Sequence, residues 1–180
     1  MKYLTQIALS IIGLSSLFAT TLQAHSHAFK PAFVDTLIEP YLQIQKGLAN
    51  DDLKATQNGA QQFLKAMAKA PQSEDATATN ATLTTPAQKI TAADDIQTAR
   101  AAFLNLSNQL KTLIQHVGTS GKTNLFVARC PMAFEGKGGD WIQSDKMISN
   151  PYYGSKMLHC GNIQEQIAEA KTDDHSSHNH

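Results

Sequence analysis

Apolar residues recur at three- and four-residue steps in three long segments of this chain, which is the spacing of amphipathic helices. The first segment predicts a helix from about Lys30 to Ala49. The polar run Asn50-Asp51-Asp52 then ends this helix and supplies the N-cap of a second one, which begins near Leu53. Because the connection is so short, we expect the two helices to form an antiparallel hairpin.

The third amphipathic segment ends at Val117, and Gly118 is well placed to terminate its helix. Thr91-Ala92-Ala93-Asp94 resembles a capping box at its start. The stretch before it, about 71–90, is rich in Ala, Thr, Ser and Asn and has almost no large apolar side chains. This composition predicts a flexible linker between helices.

Helical periodicity is lost from Leu125 to Gly161, where glycines and prolines are frequent. Leu125–Ala128 is typical of a short strand, and Ile163–Ala170 predicts a short closing helix. The fold class predicted is mainly all-α: an antiparallel bundle of three to four helices within residues 30–170. A Cys- and Met-rich loop region at 125–161, with room for a short β-hairpin, would pack on the bundle.

The first 24 residues have the pattern of a secretory signal peptide: Lys2, a short apolar run from Ile7 to Ala19, and a small residue at Ala24. The apolar run is shorter than the roughly 20 residues that span a bilayer. We therefore expect a periplasmic protein with no membrane span in its mature chain. A His-containing arm at 25–29 would begin that chain, and a disordered His-rich tail at 171–180 would end it.

The charge is balanced, with 15 basic and 15 acidic residues. A chain this neutral lacks the basic surface that nucleic-acid binding requires, so we expect no nucleic-acid partner. Cys130 and His159 are a conceivable nucleophile and base, but no further motif organises them. We therefore expect that the protein is not an enzyme.

The candidate chemistry lies in the C-terminal region, where sulfur ligands are concentrated. Its potential soft-metal ligands are Cys130, Met132, Met147, Met157, His159 and Cys160. Thiolate and thioether sulfurs favour Cu(I) over harder divalent ions, so the region predicts a copper site. A disulfide between Cys130 and Cys160 would instead stabilise the domain by about 3–4 kcal/mol. The spacing alone leaves both interpretations open.

Histidines at the two ends of the chain add a second metal hypothesis. Cleavage after Ala24 would leave His25-Ser26-His27 at the new N-terminus. Its amine, two backbone amides and the imidazole of His27 would supply the planar nitrogen set that Cu(II) prefers. The tail carries His175, His178 and His180, a tract of the kind that gathers metal loosely.

Three segments resemble a known bacterial family: Tyr41–Asp52, the Cys-Pro-Met run that continues to Trp141, and the Asn-Pro-Tyr run from Asn150 to Gly161. The family is a domain of unknown function. It occurs alone behind a signal peptide or fused to the C-terminus of periplasmic adaptor subunits of copper and silver efflux pumps.

The resemblance implies a ligand set and a set of residues that shape the loop around it. The implied ligands are Cys130, Met132, Met157 and Cys160, whereas His159 stands at a variable position. The implied loop-shaping residues are Trp141, Asn150, Pro151, Tyr152 and Gly154. We therefore expect a protein that binds copper or silver for periplasmic buffering or for delivery to a heavy-metal efflux adaptor. The alternative is a disulfide-stapled helical interaction module that binds no metal.

Overall fold

The computed structural model describes residues 28–171, so the predicted signal peptide, most of the His-containing arm and most of the His-rich tail lie outside it. This part of the chain contains four helices, a short 3₁₀ helix and a three-stranded sheet, which confirms the mainly α fold class with a small β element. The elements are α1 (Pro31–Ala49), α2 (Leu53–Met67), α3 (Glu74–Thr91), α4 (Ile96–Val117), β1 (Leu125–Cys130), β2 (Gly139–Gln143), the 3₁₀ helix (Gly154–Lys156) and β3 (Asn162–Ala168). None of the helices within residues 28–171 is long and apolar enough to cross a membrane.

Helices α1 and α2 form the predicted antiparallel hairpin, and two glycines let their backbones approach closely. A Cβ added at Gly47 would lie 2.7 Å from the backbone nitrogen of Thr56, and one at Gly59 would lie 2.8 Å from that of Ile44. The side chain of Asp52 accepts a hydrogen bond from the Ala55 backbone N–H at 2.8 Å, which confirms the predicted N-cap of α2. The hairpin is therefore set by both local capping and small residues at the helix contact.

The flexible linker predicted at about 71–90 is wrong, because most of it is helix α3. Acidic residues in its first turn complement the helix dipole. Leu83, Ala87 and Ile90 are buried at helical spacing, so a narrow apolar stripe faces the core. Because this stripe has so few large side chains, the sequence pattern gives only a weak indication of a helix. Packing against α2 and α4 stabilises α3.

Helix α4 begins later than its predicted capping box. Thr91 is the last residue of α3, and the N-cap of α4 is Asp95, whose carboxylate accepts hydrogen bonds from the backbone N–H groups of Gln97 and Thr98, both at 2.8 Å. The predicted end is confirmed. Gly118 has φ +79°, a conformation that favours glycine, and its N–H donates to the Ile114 carbonyl at 2.8 Å.

The strands form an antiparallel sheet in the order β2-β1-β3, so the predicted closing helix at Ile163–Ala170 is wrong. Ile163 and Ile167 are four residues apart, a spacing that places side chains on one face of a helix and equally on one face of a strand. Strand β1 decides between the two, since its backbone groups need partners on both sides and β3 supplies one of these.

Tyr41 joins the helices to the sheet. Its buried hydroxyl lies 2.7 Å from the hydroxyl of Ser107 in α4 and accepts a hydrogen bond from the Ile142 N–H of β2 at 3.0 Å. Its ring stacks on Phe103, with ring centroids 5.1 Å apart. Burial raises the pKa of Tyr41, so the hydroxyl stays protonated and keeps this three-element contact at neutral pH.

Candidate functional site

The two cysteines meet where β1 and β3 lie side by side. Cys130 is the buried last residue of β1, and the half-buried Cys160 stands two residues before β3. Because Arg129 pairs with Asn162 in an antiparallel register, the end of β1 comes level with the residues before β3. Both thiols are free, and their sulfur atoms lie 3.1 Å apart. We refer to these two side chains as the thiol pair.

Gly161 allows the chain to bring Cys160 this close to β1. Its φ of +133° is a conformation that L side chains rarely adopt. A Cβ at this position would lie 2.8 Å from the Arg129 carbonyl oxygen and 2.9 Å from the Trp141 ring. Any larger residue would push the segment carrying Cys160 away from the sheet.

Asn150 fixes the position of Cys160 from the other side. Its fully buried side chain donates to the Cys160 carbonyl oxygen at 2.7 Å and accepts from the backbone N–H groups of Tyr152, at 2.8 Å, and Tyr153, at 3.2 Å. Its own backbone N–H donates to the Leu158 carbonyl at 2.7 Å. One side chain therefore closes the loop between residues 150 and 160 and holds Cys160 at its end.

An aromatic cluster supports this loop. The buried ring of Tyr152 packs edge-on against Trp141, at 5.7 Å between ring centroids, and against Phe134, at 5.0 Å. Its hydroxyl donates to the Asp140 carbonyl oxygen. Burial raises the pKa of Tyr152 well above its ordinary value, so it remains a hydrogen-bond donor. Trp141, Asn150 and Tyr152, implied above as loop-shaping residues, thus form one connected structure.

A buried arginine that the sequence reading missed ties this loop to the helices. Arg100 of α4 donates to the Pro151 carbonyl at 2.9 Å, to the Leu48 carbonyl at 2.9 Å and to the carboxylate of Asp51 at 2.6 Å. The other oxygen of Asp51 accepts from the Ser155 hydroxyl at 2.5 Å and from its N–H at 2.9 Å. The available signal was an arginine at helical spacing within the apolar stripe of α4, three residues before Phe103.

The same contacts determine the charge state of Asp51. Hydrogen bonds from Ser155, and then the hydrogen bond and charge of Arg100, lower the pKa of Asp51 to about 2. The carboxylate is therefore ionised at neutral pH and neutralises a guanidinium that is buried between helix and loop.

The two methionines implied as ligands differ in their surroundings. Met132 lies in the turn beyond the end of β1 and is 52% exposed, so it does not share the strand that carries Cys130. The chain leaves the extended conformation there, and Phe134 and Glu135 both have positive φ. Met157 is half-buried at the end of the 3₁₀ helix, and its carbonyl accepts from the Cys160 N–H at 3.0 Å.

The side chain of His159 is exposed, but one of its two ring nitrogens contacts the protein backbone. Its Nδ1 lies 2.8 Å from the Ile148 carbonyl oxygen, so that nitrogen is engaged in a hydrogen bond when it carries the proton. His25 and His27, like His175, His178 and His180 of the tail, lie outside the described residues.

The distance within the thiol pair lies between two chemical states. A disulfide bond requires about 2.05 Å between the sulfur atoms. Two thiolates that share one tetrahedral metal ion at about 2.3 Å from each sulfur would lie roughly 3.8 Å apart. The thiol pair, at 3.1 Å, needs a movement of about 1 Å or less to reach either state. The hydrogen bond with Cys130, and secondly burial, raise the pKa of Cys160, which favours its protonated form when no metal is bound.

Within the described residues, no larger cluster of metal-ligating side chains accompanies the thiol pair. Among residues 28–171, no group of three or more His, Cys, Asp or Glu side chains lies together in a way that could hold a metal ion. Of the Cys, His, Asp and Glu side chains in this range, only the two thiols therefore lie together at the thiol pair.

Residues 37–122 match a protein family described as "Protein of unknown function (DUF3347)". The matched range runs from α1 to the turn after α4 and is slightly less than half of the 180-residue chain. A DUF3347 domain is thus found in the helical part, including the Tyr41–Asp52 segment, whereas the thiol pair lies beyond its end. No curated protein and no solved structure matches the chain. The predicted association with copper and silver efflux adaptors stays a prediction.

Proposed function

We propose that this protein binds a soft monovalent metal ion, Cu(I) or Ag(I), through Cys130 and Cys160. The observation that carries the proposal is the thiol pair itself: two free thiols 3.1 Å apart, one buried and one half-buried. Thiolates bind such ions in preference to hard divalent cations. In this proposal the protein is exported and has no enzymatic activity. It buffers the metal in the periplasm or delivers it to a heavy-metal efflux adaptor.

The side chains around the thiol pair disfavour a zinc site. Zinc sites usually take four ligands, of which at least three come from protein side chains. The absence of a third Cys, His, Asp or Glu near the pair, within residues 28–171, disfavours zinc. A soft ion that accepts thioether sulfur could instead recruit Met157, which stands three residues before Cys160, and Met132, which stands two residues after Cys130.

The histidines at the ends of the chain have a separate role in this proposal. His25 and His27 would bind Cu(II) at the new N-terminus, provided that cleavage follows Ala24. His175, His178 and His180 would collect metal weakly. His159 is the histidine next to the thiol pair in the sequence. Its Nδ1 lies at the Ile148 carbonyl oxygen, an arrangement that leaves Nε2 as the ring nitrogen that could bind the metal ion.

The test is a titration of the reduced full chain with Cu(I) in competition with a chelator of known affinity. We expect tight binding of one ion, lost on Cys130→Ala or Cys160→Ser. Replacement of His175, His178 and His180 by Ala should leave this binding unchanged, which separates the thiol pair from the tail.

The methionines provide a matched comparison within the same titration. Met157→Leu and Met132→Leu should each weaken Cu(I) binding about tenfold if the thioethers complete the site, by analogy with other changes at metal sites. Met147→Leu is the control, because Met147 is 71% exposed on the loop that follows β2. If the reduced chain does not compete with the chelator for Cu(I), the proposal is wrong.

A second candidate function is a disulfide-stapled interaction module without metal. It is favoured by two observations: the sulfur atoms are about 1 Å from bonding distance, and the pKa of Cys160 is raised, which disfavours a free thiolate. A disulfide that closes a loop of this length would stabilise the fold by about 3–4 kcal/mol. In that case the oxidised chain should melt well above the reduced one, and added Cu(I) should leave the melting temperature of both unchanged.

A further inference from the structure

The two members of the thiol pair differ in their access to solvent. Cys130 is fully buried in the hydrophobic core, at the end of the central strand of the sheet. Cys160 is half-buried at the end of the loop that Asn150 closes. Of the two residues, Cys160 is therefore the one that a reagent from solution can approach, whereas Cys130 is enclosed by the core.

From this asymmetry we infer that the thiol pair is a reversible redox couple with a fixed order of reaction. Cys160 is the attacking thiol, which exchanges with external low-molecular-weight disulfides, and Cys130 is the resolving thiol, which reacts only with Cys160. The oxidation state of the couple then gates the metal site, a consequence that rests on the proposed function, whereas the order of reaction does not.

The exchange proceeds in two balanced steps. The Cys160 thiolate attacks one sulfur of an external disulfide, so that a Cys160 mixed disulfide forms and one external thiolate leaves. The Cys130 thiolate then attacks the Sγ of Cys160, the Cys130–Cys160 bond forms, and the second external thiolate leaves. The protein loses two protons and two electrons, and the external disulfide becomes two thiols.

The fold favours the second step because it keeps Cys160 beside Cys130. The Cys160 carbonyl is held by Asn150 and its N–H by the Met157 carbonyl, so the backbone on each side of the sulfur is fixed. Gly161 then keeps this segment against Arg129. A reacting pair held at short range closes far faster than two separate molecules combine. We therefore expect the mixed disulfide to be short-lived in the native chain.

The test uses the reduced full chain, free of metal, with oxidised glutathione as the probe and intact mass as the readout. We expect the native chain to lose two hydrogens without a lasting adduct. Cys130→Ala should accumulate one glutathione adduct, at Cys160. Cys160→Ser should remain unmodified while folded, because its remaining thiol is buried. Circular dichroism establishes that each variant is folded, and Cys130→Ser repeats the first variant with a polar residue.

Each alternative result overturns the inference. An adduct on Cys130 in folded Cys160→Ser would show that burial does not set the order. A lasting adduct on the native chain would show that Cys130 does not resolve it. Because no metal is present, these results are independent of the Cu(I) titration. If the order is confirmed but neither redox state binds Cu(I), the couple stands and the proposed function fails. If the reduced chain binds Cu(I) and the oxidised chain binds it equally, the gating fails while metal binding stands.

Discussion

The helices and the sheet of this protein are stabilised in different ways. The helices bury stripes of apolar side chains, such as Leu37, Phe63 and Leu106, that recur at helical spacing. The loops around the sheet depend on single buried polar groups, above all Asn150 and Arg100, each of which satisfies several partners. The helical part is thus stabilised by many apolar contacts within one core, whereas the geometry of the thiol pair depends on a few directional hydrogen bonds.

The largest effect on stability should come from the helical core. Phe63 of α2 is fully buried, and Phe63→Ala should lower the free energy of unfolding by about 3–5 kcal/mol, since it removes apolar contacts and leaves a cavity. Urea denaturation followed by circular dichroism measures this change. Phe33→Ala is the control, because Phe33 is only half-buried on α1 and should cost clearly less. Equal losses at the two positions would contradict the role assigned to the buried stripe.

A substitution in the loop between residues 150 and 160 should cost less stability than one in the helical core. It should have a larger effect on the reactivity of the two thiols. Asn150→Ala removes three hydrogen bonds and should lower the free energy of unfolding by about 2–3 kcal/mol. Since Asn150 holds Cys160, the native-state alkylation rate of the buried Cys130 should rise at least severalfold. Asn162→Ala, at an exposed position of β3, is the control.

Alkylation also distinguishes the two regions from each other. Phe63→Ala should leave the ratio of the Cys130 and Cys160 alkylation rates unchanged under conditions where both variants are fully folded. If Phe63→Ala and Asn150→Ala raised the Cys130 rate alike, the thiol pair would depend on global stability and not on its own loop.

The smallest effect concerns the contact between Asp51 and Arg100, which joins the two regions. The pKa of Asp51 is lowered to about 2 in the folded chain and is near 4 when the chain is unfolded. Its contribution to stability is thus complete above about pH 4 and is lost as the pH falls toward 2. Because the carboxylate side chain is 37% exposed, solvent screening limits this contribution to about 1 kcal/mol or less.

The measurement is the pH dependence of the free energy of unfolding between pH 5 and pH 2. Asp51→Asn should show a shallower fall in stability over this range than the native chain. Asp145→Asn, at an exposed position after β2, should follow the native curve. If the free energy of unfolding fell equally steeply with pH in the native chain and in Asp51→Asn, groups other than Asp51 would be neutralising the charge of Arg100.

The thiol pair illustrates what could be read from the residues before the fold was known. Cys130 and Cys160 were the only cysteines, so their candidacy needed no structure. The close approach of their sulfurs depends on the β1–β3 register and on Gly161, and neither has a local signature. Arg100 was missed for the same reason: its partners Asp51 and Pro151 are 49 and 51 residues away in the chain.

The sequence by itself determined α1, α2 and α4, the N-cap at Asp52, the helix end at Gly118 and the start of β1, because periodicity and capping act between neighbouring residues. Only the tertiary structure decided that residues 74–91 are helical, that residues 162–168 form a strand, and that Cys130 is buried while Cys160 is half-buried. These outcomes depend on which distant surfaces meet. A segment with a weak apolar stripe forms a helix when two other helices pack against it. A segment of ambiguous pattern forms a strand when the edge of a neighbouring strand needs hydrogen-bond partners.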